Sequence, residues 1–173
     1  MTVPVSARAA RWRRRAIEAL ILIVVIVGIR AWQQRDVVSG ATPSLAGTLL
    51  DGTAYKLSPQ RPVLVHFWAT WCPVCTAEQG SIQSIARGDH EVVTVAMQSG
   101  SSADVARHLT EQRLDFPVLN DADGRISAAW GVHAVPASFI VDRDGQIRFV
   151  EIGYTTEIGL RLRLWLAANF AVF

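Results

Sequence analysis

The most constraining feature of the 173-residue chain is a near-continuous apolar run, residues 63–68 (VLVHFW), followed after three residues by Cys72-Pro73-Val74-Cys75. A run of this kind is typical of a central strand that is covered on both faces. Proline is tolerated at the first position of a helix, because its missing N–H would have no partner there. The sequence therefore predicts a strand, a short turn and a helix from Pro73 to about Arg87.

Both cysteines of the chain fall at the start of this predicted helix. Cysteines at positions i and i+3 of a first helical turn can approach within disulfide range. Free N–H groups and the positive end of the helix dipole favour a thiolate at Cys72, whereas Cys75 lies one turn inside and is more shielded. A Cys72 thiolate that attacks a disulfide forms a mixed disulfide, which Cys75 then resolves. The alternative is a structural disulfide, although a four-residue loop closes little chain entropy.

Composition excludes several classes of protein. Two cysteines are too few for a disulfide-rich scaffold or a four-cysteine zinc site. Residues 1–35 carry seven arginines and one glutamate, a net charge of +6, and the remainder carries ten basic and fourteen acidic residues, a net charge of −4. Because the predicted domain is mildly acidic, nucleic-acid binding is not expected.

The positive charge precedes an apolar core of eleven residues, 19–29. Trp12 and Trp32 are twenty positions apart, about 30 Å along a helix, which suits aromatic residues at both interfaces of a bilayer. We predict a cytoplasmic basic segment (1–15), a transmembrane signal anchor (16–32), a linker (33–44) and a domain (45–173). The arginines should keep the N-terminus in the cytoplasm of a bacterium and place the domain outside its inner membrane. A signal peptide cleaved near Ala41 is the alternative.

The remaining pattern predicts an α/β domain. A hairpin is expected over residues 45–58, because Asp51-Gly52 is flanked by alternating residues. Strands are predicted at 92–97, 116–119, 137–142 and 146–152, and helices at 103–113 and about 126–130. A C-terminal helix is predicted with one apolar face formed by Ile158, Leu162, Trp165 and Leu166.

The stretches VLVHFWATWCPVCTAE and WGVHAVPASFIVDRDGQIRFV resemble the thioredoxin superfamily. More narrowly, they resemble its membrane-anchored, exported members of the TlpA/ResA type, which include cytochrome c maturation reductases and suppressor-of-copper-sensitivity proteins. The similarity covers about residues 44–170. It implies a thioredoxin fold, with a central mixed sheet flanked by helices, an N-terminal β-hairpin and an inserted helix and strand. It also implies a cofactor-independent protein disulfide oxidoreductase, acting as a reductase on proteins outside the cytoplasm and kept reduced by a membrane electron donor.

By that resemblance Cys72 and Cys75 are the redox pair, and Pro136 is a cis-proline that faces them. Val135 would then offer backbone hydrogen bonds to a substrate peptide. Trp71 is expected to be a partly exposed wall beside Cys72. An ordinary trans turn proline is the alternative for Pro136.

Two residues are candidates for moving the proton of Cys75. Glu78, one turn beyond Cys75, matches an acidic residue that exported members often carry near the active site, and its alternative is a solvated helix residue. His66 departs from the family pattern, since it stands where thioredoxin has a buried aspartate. It is a secondary proton relay or a hydrogen-bonded core histidine. We favour Glu78, because the resemblance and the helical spacing agree on it.

The same cysteines suggest three alternative functions. A thiol peroxidase needs threonine three positions and proline seven positions before its reactive cysteine, and this chain has Ala69 and Val65 there. Soft thiolates would suit a Cu(I)-binding module, but no methionine cluster accompanies the cysteines. A soluble oxidant released by signal cleavage is a further alternative. No metal site is expected.

Overall fold

The computed structural model describes residues 12–15, 17–18, 20–22, 24–25 and 40–169. The chain divides into two compact units, 1–35 and 36–173. In the first unit the described residues are helical. Across the described ranges, no helix combines the length and the apolar character needed to cross a membrane. Residues 16, 19, 23 and 26–32 of the predicted anchor and 33–39 of the predicted linker lie outside these ranges.

A six-stranded mixed sheet forms the centre of the second unit. Its strands, in spatial order, are β1 (Gly40–Ala41), β8 (Gln146–Ile152), β7 (Ala137–Val141), β4 (Val63–Trp68), β5 (Glu91–Met97) and β6 (Val118–Asp121). Strands β4, β5 and β6 are parallel, whereas β7 is antiparallel to both β4 and β8, and β1 is antiparallel to β8. The predicted α/β class with a mixed sheet is therefore confirmed.

The predicted hairpin is present as β2 (Ala46–Thr48) and β3 (Ala54–Lys56). It lies against the outer strand β6, where Leu49 bridges Leu119 and the Leu50 N–H donates to the Val118 carbonyl oxygen at 3.0 Å. Strand β6 begins two residues later than predicted and runs on to Asp121. Asn120 and Asp121 belong to the strand because they pair with Ala96 and Met97 of β5, and the Asp121 carboxylate accepts hydrogen bonds from backbone N–H groups of the following helix.

Four helices accompany the sheet: α1 (Pro73–Ala86), α2 (Ser102–Gln112), α3 (Arg125–Ala129) and α4 (Glu157–Asn169). Helix α2 begins with a capping box, in which the Ser101 hydroxyl accepts from the Asp104 N–H and the Asp104 carboxylate accepts from the Ser101 N–H. Both contacts satisfy N–H groups that a helix start leaves unpaired.

Strand β4 is buried along its whole length, as its apolar run predicts. Alternate side chains enter two clusters on opposite faces of the sheet. Leu64 and Trp68 pack with the buried residues of α1 and α4. On the other face Phe67 packs with Trp130 and Phe139, with ring centroids 5.1–5.6 Å apart. The strand that carries the cysteine turn is thus held from both sides.

The predicted apolar face of the C-terminal helix is wrong. Ile158, Leu162 and Trp165 are 81%, 53% and 52% exposed, whereas Leu160 and Leu164 are buried against the sheet and α1. Leucines and arginines alternate along this helix, so apolar residues occur on more than one face and periodicity alone does not choose between them. The Arg161 guanidinium, which donates to the Ser84 carbonyl oxygen of α1, helps to set the observed rotation.

This rotation predicts opposite effects for two leucines of the same helix. Leu160→Ala should lower the free energy of unfolding by about 2–5 kcal/mol, because it leaves a cavity in the core. Leu162→Ala should change it by about 0.5 kcal/mol or less, because the side chain is half exposed. Urea denaturation of the oxidised protein measures both values. Equal losses for the two variants would contradict the observed rotation of α4.

Candidate active site

The two cysteines are placed by the end of β4 and the start of α1. A three-residue turn after Trp68 makes Cys72 the N-cap of α1, with φ −98° and ψ 109°, and Pro73 is the first helical residue. Cys72 and Cys75 form a disulfide with their Cα atoms 5.3 Å apart. The Cys75 N–H donates to Cys72 Sγ at 3.1 Å. A backbone donor at a helix N-terminus favours the thiolate of Cys72 when the disulfide is reduced.

The two sulfurs differ in their access to solvent. Cys72 is 5% exposed, whereas Cys75, in the first turn of α1, is completely buried. A large partner can therefore reach only the sulfur of Cys72 directly. This asymmetry agrees with a nucleophilic first cysteine and a resolving second cysteine.

A second chain segment approaches the disulfide from the start of β7. The Val135–Pro136 peptide bond is cis. The Val135 carbonyl oxygen lies 3.6 Å from Cys72 Sγ, and the Pro136 carbonyl oxygen accepts a hydrogen bond from the Gly153 N–H at 2.8 Å. The structure thus places Val135 and Pro136 beside the cysteines, as the sequence predicts.

Trp71 forms one side of the site and is 59% exposed. Its indole N–H donates to the Gln98 carbonyl oxygen at 3.1 Å, and the neighbouring Thr70 N–H donates to Ser99 Oγ at 3.0 Å. These contacts attach the cysteine turn to the loop after β5. The indole ring is therefore held beside Cys72 while much of its surface faces solvent.

Glu78 lies on α1, one turn beyond Cys75, and is completely buried. Its Oε1 accepts a hydrogen bond from the Thr155 N–H at 3.3 Å, while Oε2 has no hydrogen-bond partner within the described residues. Burial raises the pKa of the Glu78 carboxyl to about 7, and the Thr155 N–H partly opposes that rise. Glu78 is therefore not a solvated helix residue.

His66 is also buried and lies on the side of β4 that faces α1. Its Nδ1 is 2.9 Å from Ser138 Oγ on the adjacent β7, and Nε2 has no partner within the described residues. Burial lowers the pKa of the His66 imidazole to about 3, so the ring is neutral near pH 7. A neutral imidazole with so low a pKa is a weak base.

Two partners of these groups were not predicted from the sequence. Ser138 faces His66 because the two residues are register partners between β4 and β7. Thr155 reaches Glu78 from the loop between β8 and α4. Neither contact has a local sequence signal, because both depend on strand pairing and loop placement far along the chain. Within the described residues, no group of three or more His, Cys, Asp or Glu side chains could hold a metal ion.

Comparison with known proteins identifies the family and the fold of the chain. Residues 37–160 match the Redoxin family. A thioredoxin-like protein of Haemophilus influenzae is 29% identical over 91% of this chain and 95% of its own length. The thiol-disulfide oxidoreductase ResA of Bacillus thuringiensis is 26% identical over 75% of this chain and 78% of its own length. The crystal structure of a secreted Mycobacterium tuberculosis disulfide oxidoreductase, 28% identical, covers 70% of this chain and 94% of its own with a TM-score of 0.61. The predicted thioredoxin-like fold is confirmed.

Proposed function

Because the chain belongs to the Redoxin family and is a thioredoxin-like disulfide oxidoreductase, we propose that it reduces disulfides of protein substrates through Cys72 and Cys75. The observation that carries this proposal is the unequal burial of the two sulfurs at a helix N-terminus. Cys72 is the nucleophile, because its sulfur is accessible and accepts a backbone N–H. Cys75 is the resolving thiol, because only an intramolecular attack can use a fully buried sulfur.

The reaction transfers two electrons in two steps. In the reduced protein the Cys72 thiolate attacks one sulfur of the substrate disulfide, and the other substrate sulfur leaves as a thiolate and takes a proton. Cys75 then loses its proton and attacks Cys72 Sγ, which breaks the mixed disulfide. The second substrate sulfur leaves as a thiolate that is protonated in turn, and the Cys72–Cys75 disulfide remains.

Substrate positioning is assigned to Trp71, Val135 and Pro136. Trp71 gives an exposed apolar wall on one side of Cys72. The half-buried Val135 has its carbonyl oxygen 3.6 Å from Cys72 Sγ, so its backbone is close enough to Cys72 to align an extended peptide. Pro136 fixes that backbone against Gly153 through its carbonyl oxygen.

Glu78 is proposed to accept the proton that Cys75 loses. A base with a pKa of about 7 is suitably poised for proton transfer near neutral pH. Its position one turn beyond Cys75 allows the carboxylate to act directly or through one water molecule. His66 is less suited to accept this proton, because its imidazole has a low pKa and is hydrogen-bonded to Ser138. We assign it a secondary role in tuning the site.

The direction of exchange is proposed from the resemblance to exported reductases. That role requires a donor of electrons to the Cys72–Cys75 disulfide, which we propose to be a membrane protein that reduces it after each turnover. The reduction potential of the couple should then lie near that of thioredoxin, about −270 mV, rather than near about −120 mV, the value of a strong periplasmic oxidant.

The cysteine roles predict two different defects. Cys72→Ser should reduce insulin disulfides no faster than the background, because the nucleophile is lost. Cys75→Ala should form mixed disulfides that persist, because no resolving thiol remains. Non-reducing electrophoresis and mass spectrometry measure the trapped species, and insulin reduction measures the rate.

The matched comparison uses the parent protein in both redox forms. The reduced parent should reduce insulin, and the oxidised parent should be a poor oxidant of a reduced, unfolded protein. Equal trapping by both variants would contradict the assigned roles. A potential near −120 mV would contradict the direction.

The pKa of Glu78 predicts the pH dependence of exchange. Above pH 7 the carboxylate is ionised and accepts a proton, and below pH 7 it is protonated and does not, so the parent rate should rise through this range. Glu78→Gln should slow exchange near pH 7 by about ten- to a hundredfold. It should also shift the profile upward, toward the ordinary thiol pKa of about 8.5. Insulin reduction between pH 5 and 9 measures the profile.

His66→Asn is the control for this measurement, since it replaces the other candidate proton carrier. It should alter the profile less than Glu78→Gln does. A Glu78→Gln profile that overlays that of the parent, together with a strongly impaired His66→Asn variant, would assign the proton to the histidine.

We also propose that the domain acts outside the cytoplasm and stays attached to the membrane. The proposal is supported by the arginine-rich segment before residues 19–29 and by similarity to a protein described as secreted. A reporter fused after Phe173 should be active outside the cytoplasm, and the protein should remain in the membrane fraction after a high-salt wash. A soluble, shortened product beginning near Ala41 would show instead that the signal segment is cleaved.

A further inference from the structure

The surface around the disulfide is built from chain segments that carry no formally charged residue. Residues 68–77, 97–103, 126–137 and 152–156 contain no aspartate, glutamate, lysine or arginine. We refer to the exposed surface of these four segments as the neutral face. Its exposed titratable side chains are His133 and Tyr154.

Contacts within the site hold the four segments together. Trp71 Nε1 donates to the Gln98 carbonyl oxygen, which joins the first segment to the second. The Val135 carbonyl oxygen lies 3.6 Å from Cys72 Sγ, which joins the first to the third. The Gly153 N–H donates to the Pro136 carbonyl oxygen, which joins the third to the fourth. The neutral face is thus one continuous surface around Cys72.

The neutral face exposes large apolar and aromatic groups. Trp71 is 59%, Val74 44% and Tyr154 53% exposed. Tyr154 lies at the border of the active site. Its neighbour Gly153 donates a hydrogen bond to Pro136, and its neighbour Thr155 donates one to Glu78. Trp71 and Val74 adjoin the two cysteines along the chain, so a polypeptide that reaches Cys72 contacts them.

The charged residues next to the second, third and fourth segments belong to ion pairs. These pairs are Asp104–Arg107, Asp123–Arg125, Glu151–Arg163 and Glu157–Arg161. Glu78, the acid nearest to the cysteines along the chain, is buried. The face therefore offers no uncompensated positive or negative charge to a bound segment.

We propose that the neutral face selects disulfides whose flanking residues are uncharged, an inference that rests on the proposed function. A charged side chain laid over Trp71, Val74 and Tyr154 would lose water without gaining a partner of opposite sign. An uncharged segment loses little hydration free energy when it binds, and it covers the apolar surface. The selection acts against both signs of charge, whereas a protein with a charged rim would prefer one sign.

The test uses three peptide disulfides that differ only at the residues beside each cysteine, which are serine, lysine or glutamate. The second-order rate constant for a single turnover of the pre-reduced full-length protein with each peptide is divided by the second-order rate constant of the same peptide with dithiothreitol, which removes the intrinsic effect of charge on the disulfide. The serine peptide should react about five- to tenfold faster than both charged peptides. Its rate should not change with ionic strength, because no net charge attracts it.

A charge added to the neutral face should create a preference for one sign. Tyr154→Lys should make the glutamate peptide react faster than the lysine peptide by about threefold or more at low salt, and added salt should reduce the difference. Leu162→Lys is the matched control, because Leu162 on α4 is equally exposed at 53% and lies outside the neutral face. It should keep the order of the parent.

Each outcome decides the proposal. Equal normalised rates for the three peptides, or a parent that prefers one sign of charge, would overturn it. The small neutral disulfide of 2-mercaptoethanol distinguishes a loss of charge selection from a loss of disulfide reduction. If that disulfide is reduced and the peptides are not discriminated, only this inference fails. If neither it nor any peptide is reduced, the proposed function fails and takes the inference with it.

Discussion

The position of the active site depends on one strand that is buried on both faces. Strand β4 packs between two apolar clusters, and this packing fixes the position of its end. The turn after Trp68 then places Cys72 at the start of α1. The antiparallel register pairs Phe67 with Ala137. This pairing brings the beginning of β7, and with it Val135 and Pro136, to the same end of the sheet as the disulfide. Packing of β4 therefore positions both halves of the site at once.

Burial acts in opposite directions on Glu78 of α1 and His66 of β4. Loss of water disfavours charge, so it raises the pKa of the Glu78 carboxyl and lowers that of the His66 imidazole. Near neutral pH the result is a Glu78 carboxyl close to half ionisation and an uncharged His66 ring. Burial thus separates the pKa values of the two groups, and of the two only the Glu78 carboxyl has a pKa near neutral pH.

The sequence was most informative where the controlling interactions are local. The N-cap position of Cys72 and the start of α1 at Pro73 follow from short-range rules, and the structure has both. Rotation of α4 was predicted wrongly, because its leucines allow more than one buried face until the neighbouring helix is known. Contacts of Ser138 and Thr155 were missed, since strand register and loop placement decide them. The predicted anchor falls largely outside the described residues.

The two outer strands of the sheet limit how a partner chain can bind. At one side β1 contributes only two residues, Gly40 and Ala41, beside the start of β8. At the other side the hairpin covers β6 through Leu49 and Leu50. Short or covered edges discourage the addition of a foreign strand along the sheet. Because the hairpin covers β6, addition of a foreign strand at that edge of the sheet is disfavoured, and the proposed substrate peptide would bind at the end of the sheet beside Cys72 and Val135.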